Sequence, residues 1–121
     1  MPKTILCVDD SATMRQTIKL TLAVNGYAII EAEDGRAGLE KARNQIVDLV
    51  ITDLNMPRMN GLELISALRT LPDYKGVPVL FVTTESSPEL RDQAMTAGAS
   101  GWLVKPFAPD QLLKITRRFL E

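Results

Sequence analysis

The chain has 121 residues, 45% of them hydrophobic, and a formal net charge of −1. That length fits one domain with a real core, and the near-neutral charge argues against nonspecific binding to nucleic acid or an anionic membrane. No apolar run approaches the roughly 20 residues of a membrane span, and an N-terminus that turns acidic at Asp9-Asp10 is no signal peptide.

Strand-like and helix-like stretches alternate from end to end. Thr4 to Val8 is an apolar strand closed by Asp9-Asp10, and Ser11 can cap the helix that follows. Met14, Ile18 and Leu22 recur along one face of that helix, and Asn25-Gly26 ends it. Tyr27 to Ala32 reads as the second strand. Asp34-Gly35 opens a helix running to about Asn44. Asp48 to Asp53 is the third strand. Its Leu49-Val50-Ile51 run is apolar and rich in β-branched residues, as expected of a strand covered on both faces. Pro57 stops it, and Asn60-Gly61 marks a turn into a helix over Gly61 to Thr70 with Leu62, Ile65 and Leu68 as its buried stripe. Residues 71–76 form a loop. Val79 to Thr83 is the fourth strand, and Ser87-Pro88 starts a helix that ends at Ala97-Gly98-Ala99. Ser100 to Val104 is the fifth strand. Pro109 starts a last helix with Leu112, Leu113, Thr116, Phe119 and Leu120 facing inward or toward its edge. Five βα units of this kind predict an α/β fold, a doubly wound parallel sheet with helices on both faces. A single domain over residues 1–121 is expected, with no output domain.

The chemistry concentrates at strand ends. The first strand ends at Asp9-Asp10 and the third at Asp53, the carboxyl ends where open α/β sheets gather ligands. At about 5 Å and an effective dielectric near 20, each carboxylate pair repels by roughly 3 kcal/mol. Something must neutralise the cluster. An oxygen-only site suits Mg²⁺, with Mn²⁺ as an acceptable substitute, and the Asn55 backbone carbonyl is a further candidate ligand. Helix capping explains Asp10 taken alone, but one cap does not explain three converging acids. Thr83 ends the fourth strand and Lys105 the fifth, at the same rim. Lys105 can reach an acid or an anion as a point charge, and Thr83 can donate a hydroxyl. Lys105-Pro106 is a candidate cis peptide. The chain has no histidine, which excludes Ser-His and Cys-His catalysis and His-ligated zinc. Its one cysteine, Cys7, lies in a strand pattern and reads as core; a lone cysteine fits a reducing, cytoplasmic setting.

Asp9-Asp10, Asp53, Thr83 and Lys105-Pro106-Phe107, in this order on successive strand ends, resemble the receiver domain of bacterial response regulators, in particular its single-domain CheY-like group. The resemblance implies a flavodoxin-like (βα)5 fold with strand order 2-1-3-4-5. It implies Asp53 as phosphoacceptor, with Asp9, Asp10, Asp53 and the Asn55 carbonyl at a Mg²⁺ ion, Asp9 mainly through water. It makes Lys105 the bridge to a phosphoryl oxygen and Thr83 the switch hydroxyl. Trp102 stands where the family carries a switch aromatic, and is either that aromatic or a fixed packing residue. Thr84 is bulkier than the small residue common beside the switch hydroxyl. The implied output face is the fourth helix, fifth strand and fifth helix, with Arg91, Trp102, Gln111, Lys114 and Arg117 as candidates. The kinase would dock at Met14 and Arg15, although Met14 serves equally well as core.

The implied phosphoryl donor is a phosphohistidine on a kinase or phosphotransfer protein. The implied target is a protein such as a flagellar motor switch component, bound by a monomer. A phosphate sink and a phosphorelay intermediate fit the same residues. So, from other classes, do a metal-dependent phosphatase with an Asp nucleophile and a flavodoxin-like nucleotide binder. The phosphatase usually wants an acid where Asn55 stands. The nucleotide binder wants a phosphate cradle where Asp9-Asp10-Ser11 stands.

Overall fold

A computed structural model describes residues 2–121. The elements are β1 (Thr4–Val8), α1 (Ala12–Ala23), β2 (Ala28–Ala32), α2 (Gly35–Asn44), β3 (Leu49–Thr52), α3 (Gly61–Leu68), a 3-10 turn (Pro72–Tyr74), β4 (Val79–Thr83), α4 (Pro88–Ala97), β5 (Gly101–Val104) and α5 (Pro109–Leu120). The five strands are all parallel in the order β2-β1-β3-β4-β5. This is the flavodoxin-like arrangement expected.

Side chains alternate across a strand, so each inner strand feeds two cores. Leu6, Val8, Val50, Val79 and Phe81 pack with Leu39, Ala42, Leu64, Ile65, Leu68 and Ala94 of α2, α3 and α4. Ile5, Cys7, Leu49, Ile51, Leu80 and Val82 pack with Ile18, Leu22 and Leu112 of α1 and α5. Neither face is left for water, which is why these strands are continuous apolar runs. Ser11, Asp34, Asn60 and Ser87 each cap the helix they precede through a side-chain oxygen. Among the described residues no helix is long and apolar enough to cross a membrane.

The boundaries moved where side chains took over from the ladder. β3 covers only Leu49–Thr52, and the flanking Asp48 accepts from the Thr4 N–H at 2.8 Å. β2 begins at Ala28 because Tyr27 turns inward, its hydroxyl donating to Glu121. α3 ends at Leu68, and the Arg69 guanidinium then donates to the carbonyls of Val77 at 2.7 Å and Gly98 at 2.6 Å. The buried stripe of α3 runs through Leu64, Ile65 and Leu68, with Leu62 only half-buried. The loop over 71–76 buries Tyr74, whose hydroxyl donates to the Gln45 carbonyl at 2.6 Å. In α5 only Leu112 and Thr116 are fully buried, while Leu113, Phe119 and Leu120 stay at the edge.

Thr116 carries the one buried side-chain oxygen among the described residues with no hydrogen-bond partner. A buried hydroxyl left unpaired costs about 1–3 kcal/mol. Thr116→Val is therefore expected to stabilise the fold by about 1 kcal/mol in urea denaturation.

Candidate functional site

The site is the rim formed by the carboxyl ends of β1, β3, β4 and β5. β1 and β3 pair with Val8 opposite Thr52, and the Asp53 N–H donates to the Val8 carbonyl at 3.0 Å. That register sets Asp9 and Asp53 side by side. One carboxylate oxygen from each of Asp9, Asp10 and Asp53 lies within 4.8 Å of the others. The three differ in environment: Asp9 is buried, Asp53 half-buried and Asp10 exposed.

β5 brings in the counter-charge. The Lys105 N–H donates to the Thr83 carbonyl at 2.8 Å, which fixes the chain end next to β4. The Lys105-Pro106 bond is cis. The Lys105 ammonium then donates to Asp9 Oδ2 at 2.8 Å and Asp53 Oδ2 at 2.9 Å. The remaining carboxylate oxygens are held by backbone. Asp9 Oδ1 accepts from the Ser11 N–H at 2.9 Å, and Asp53 Oδ1 from the Leu54 N–H at 2.6 Å. Burial pushes the Asp9 carboxyl above the usual carboxylate range against the pull of Lys105. Burial also works to lower the Lys105 ammonium, but its bonds to Asp9 and Asp53 outweigh that and hold it above the usual lysine value. Behind the rim, burial pushes the Cys7 thiol up to about 12, aided by Asp9 and Glu31. This leaves it a packing residue with no thiolate to react.

An oxygen-only donor set of this kind fits Mg²⁺ or Mn²⁺, which take carboxylate and carbonyl oxygens and keep several waters. The exposed Asp10 leaves the cluster open to a hydrated ion.

The other residues singled out in the sequence fall in three places. Thr83 is buried at the end of β4, and its hydroxyl oxygen accepts from the Glu85 N–H at 3.3 Å. Thr84 is exposed. Trp102 is half-buried, its ring 5.7 Å from that of Phe81 and its indole N–H donated to the Glu85 carbonyl at 3.1 Å. The Asn55 side chain donates to the Glu85 carboxylate at 3.1 Å. Glu85 thus joins Asn55, Thr83 and Trp102, a role no spacing in the sequence signals. Arg91, Gln111, Lys114 and Arg117 lie exposed on α4 and α5, apart from the acids. Val104, two residues from Trp102 and on the same side of the edge strand, adds exposed apolar surface that the sequence pattern concealed as strand core.

Met14 is half-buried against the α1–α5 core. Arg15 is pinned: its guanidinium donates to the Asp9 carbonyl and pairs with Glu31 at 3.3 Å. A groove of about 400 Å³ lies beside it, lined by Arg15, Glu31, Glu33 and Lys41. It does not include Asp53, and the acids occupy the rim outside it.

The response regulator receiver domain family model matches residues 5–117. The chain is 44% identical over 112 residues to the chemotaxis protein CheY1 of Helicobacter pylori, covering 91% of this chain and 90% of that one. The crystal structure of the chemotaxis protein CheY4 of Vibrio cholerae superposes with a TM-score of 0.95 at 44% identity, covering 98% of this chain and 99% of that one. The receiver domain of a sensor histidine kinase of Pseudomonas aeruginosa, solved with a magnesium ion coordinated in its active-site cleft, gives a TM-score of 0.91 at 25% identity, over 99% of this chain and 98% of that one.

Proposed function

The chain belongs to the response regulator receiver family, and from that premise we propose that it is a CheY-like phosphorylation switch with Asp53 as its acceptor. The observation that carries the reading is the Lys105 ammonium held between Asp9 and Asp53, at 2.8 and 2.9 Å, with Asp10 beside them. Two acids and one lysine form a place where negative charge can be added to one acid and neutralised by the rest.

The donor is a phosphohistidine on a partner kinase or phosphotransfer protein. A carboxylate oxygen of Asp53 attacks phosphorus in line, the P–N bond to the histidine breaks, and an acyl phosphate forms. Asp9, mainly through water, Asp10, Asp53 and the Asn55 carbonyl would hold Mg²⁺, and the ion would supply positive charge to neutralise the phosphoryl oxygens. Lys105 follows the new charge and bonds a phosphoryl oxygen. Thr83 turns its hydroxyl to another, giving up the Glu85 N–H it accepts from in this structure. Trp102 is bonded to the same Glu85, so the shift of Thr83 reaches the β5 edge.

The output surface is then α4, β5 and α5, with Arg91, Trp102, Val104, Gln111, Lys114 and Arg117 facing a protein target. The chemotaxis relatives favour a motility component such as the flagellar motor switch over a phosphate sink or relay intermediate. At the other end of the transfer, Met14 on α1 is the contact offered to the kinase, with Arg15 engaged inward by Asp9 and Glu31. The phosphatase reading is disfavoured because Asn55, where that class places its acid, donates to Glu85. The domain acts as a monomer in the cytoplasm, and residues 1–121 form one receiver unit.

The test is direct. With acetyl phosphate and Mg²⁺ the protein is expected to gain the mass of one phosphoryl group, and Asp53→Ala none. Equal mass gain in both proteins overturns the assignment.

A further inference from the structure

The loop over residues 54–60 follows Asp53 immediately and carries Asn55. It contains the one non-glycine residue with positive φ among the described residues, Arg58 at 66°. An arginine gains nothing from that left-handed backbone, which costs any L side chain some strain. The compensation lies at the N-cap of α2. The Arg58 guanidinium donates to Asp34 Oδ2 at 2.7 Å. The other oxygen of the buried Asp34 accepts from the Ala37 N–H at 2.8 Å, so the same carboxylate caps α2. One residue on, the Gly35 N–H donates to the Met59 carbonyl at 3.1 Å. A Cβ at Gly35 would sit 2.4 Å from that carbonyl oxygen, so no larger residue permits the contact. On its other side the loop is tied by the Asn55 side chain to Glu85.

We propose that Arg58, acting through Asp34, is a positioning residue that clamps the 54–60 loop to the start of α2 and so holds the Asn55 backbone carbonyl in place for the cation. This rests on the cation site proposed above. The Arg58 side chain is 58% exposed and Asp34 only 4%. The anchor is therefore the fixed carboxylate, and the arginine is the movable half of the clamp. Its contribution is to the geometry of the loop, added to the ties that the Gly35 N–H makes to Met59 and the Asn55 side chain to Glu85.

Arg58→Gly separates this from a merely structural role. Glycine accepts the left-handed backbone without strain, so the variant is expected to be at least as resistant to urea as the parent. Its Mg²⁺ affinity, measured by calorimetry on unphosphorylated protein, is expected to fall about tenfold, the low end for losing an outer-shell partner of a metal site. Asp34→Asn, which keeps a capping oxygen, is expected to show the same loss, and the double variant no more than either single one. Arg58→Lys retains most of the affinity. With acetyl phosphate the Arg58→Gly protein reaches the parent rate once Mg²⁺ is saturating, so the defect lies in the Mg²⁺ requirement.

Unchanged Mg²⁺ affinity in Arg58→Gly overturns the clamp, and so do additive losses in the double variant. Failure of the parent itself to take up phosphoryl, with the Mg²⁺ loss still present in Arg58→Gly, would overturn the phosphorylation reading and leave the clamp standing.

Discussion

Lys105→Met is expected to destabilise the metal-free protein by about 3 kcal/mol at neutral pH, the scale on which losing one partner of a buried ion pair acts. The lysine side chain is 10% exposed and its partners Asp9 and Asp53 are 2% and 13% exposed, so water offers these acids little replacement. Burial already disfavours the Asp9 carboxylate, and removal of the ammonium leaves two repelling acids beside each other. A divalent cation supplies the missing charge. The stabilisation on adding Mg²⁺ is therefore expected to be larger in Lys105→Met than in the parent, measured as the shift in urea midpoint between EDTA and excess Mg²⁺. An equal shift in both proteins would mean that lysine and cation do not share a task.

The pH dependence has a definite sign. The folded-state value of Lys105 lies above its ordinary 10.5, so its stabilisation is complete below 10.5 and is lost as pH rises through the folded value. The parent loses that increment in alkali and the variant has none to lose. Phosphorylation by acetyl phosphate is expected to slow about a hundredfold in Lys105→Met, since the ammonium is the donor best placed for the developing charge.

The fold was legible because each inner strand is apolar on both sides, which the unbroken runs Ile5-Leu6-Cys7-Val8 and Leu49-Val50-Ile51 state openly. The strand order came with the family resemblance, because apolar periodicity carries no information about which strands pair. The site was legible for a related reason. Parallel strands end on one rim, so an acid, a threonine or a lysine just past a strand must lie there. What escaped was every contact that depends on two loops meeting. Arg58 and Asp34 are 24 residues apart and Asn55 and Glu85 are 30 apart, and nothing in either segment announces the other. Arg15 looked free for a partner because helix periodicity gives a face and no neighbour, while Glu31 of β2 is what turns it inward. The stripe of α3 slipped for another reason. Leu62 and Leu64 both fit an apolar face together with Ile65 and Leu68, and only packing chooses between them.

Gly61 is the sharpest case of a residue whose turn signal hid a packing demand, and Gly61→Ala is expected to cost about 3 kcal/mol, the upper end for overpacking. Gly61 does not need a left-handed backbone: it is the first residue of α3, outside the positive-φ set. It needs room. An added Cβ would lie 2.3 Å from the Asp53 carbonyl oxygen and 2.5 Å from a ring carbon of Phe81. The first obstacle is backbone, and the Gly61 N–H already donates to the Leu54 carbonyl at 2.8 Å, so this segment cannot swing away without moving residues 53 and 54. The second is a ring in full burial that lies tilted against Trp102. Relief in either direction shifts either Asp53, the proposed acceptor, or the aromatic pair at the β5 edge. The variant is thus expected to lose stability in urea, to shift its single-tryptophan fluorescence, and to take up phosphoryl at least tenfold more slowly, about the loss that misplacing a reacting group brings. Gly76→Ala is the matched comparison. Nothing lies within 4 Å of its added Cβ and its φ is not positive, so it is expected to change stability by less than about 0.5 kcal/mol. Equal behaviour of the two variants would mean that the turn before α3 is loose, and that Asp53 is not held from beneath.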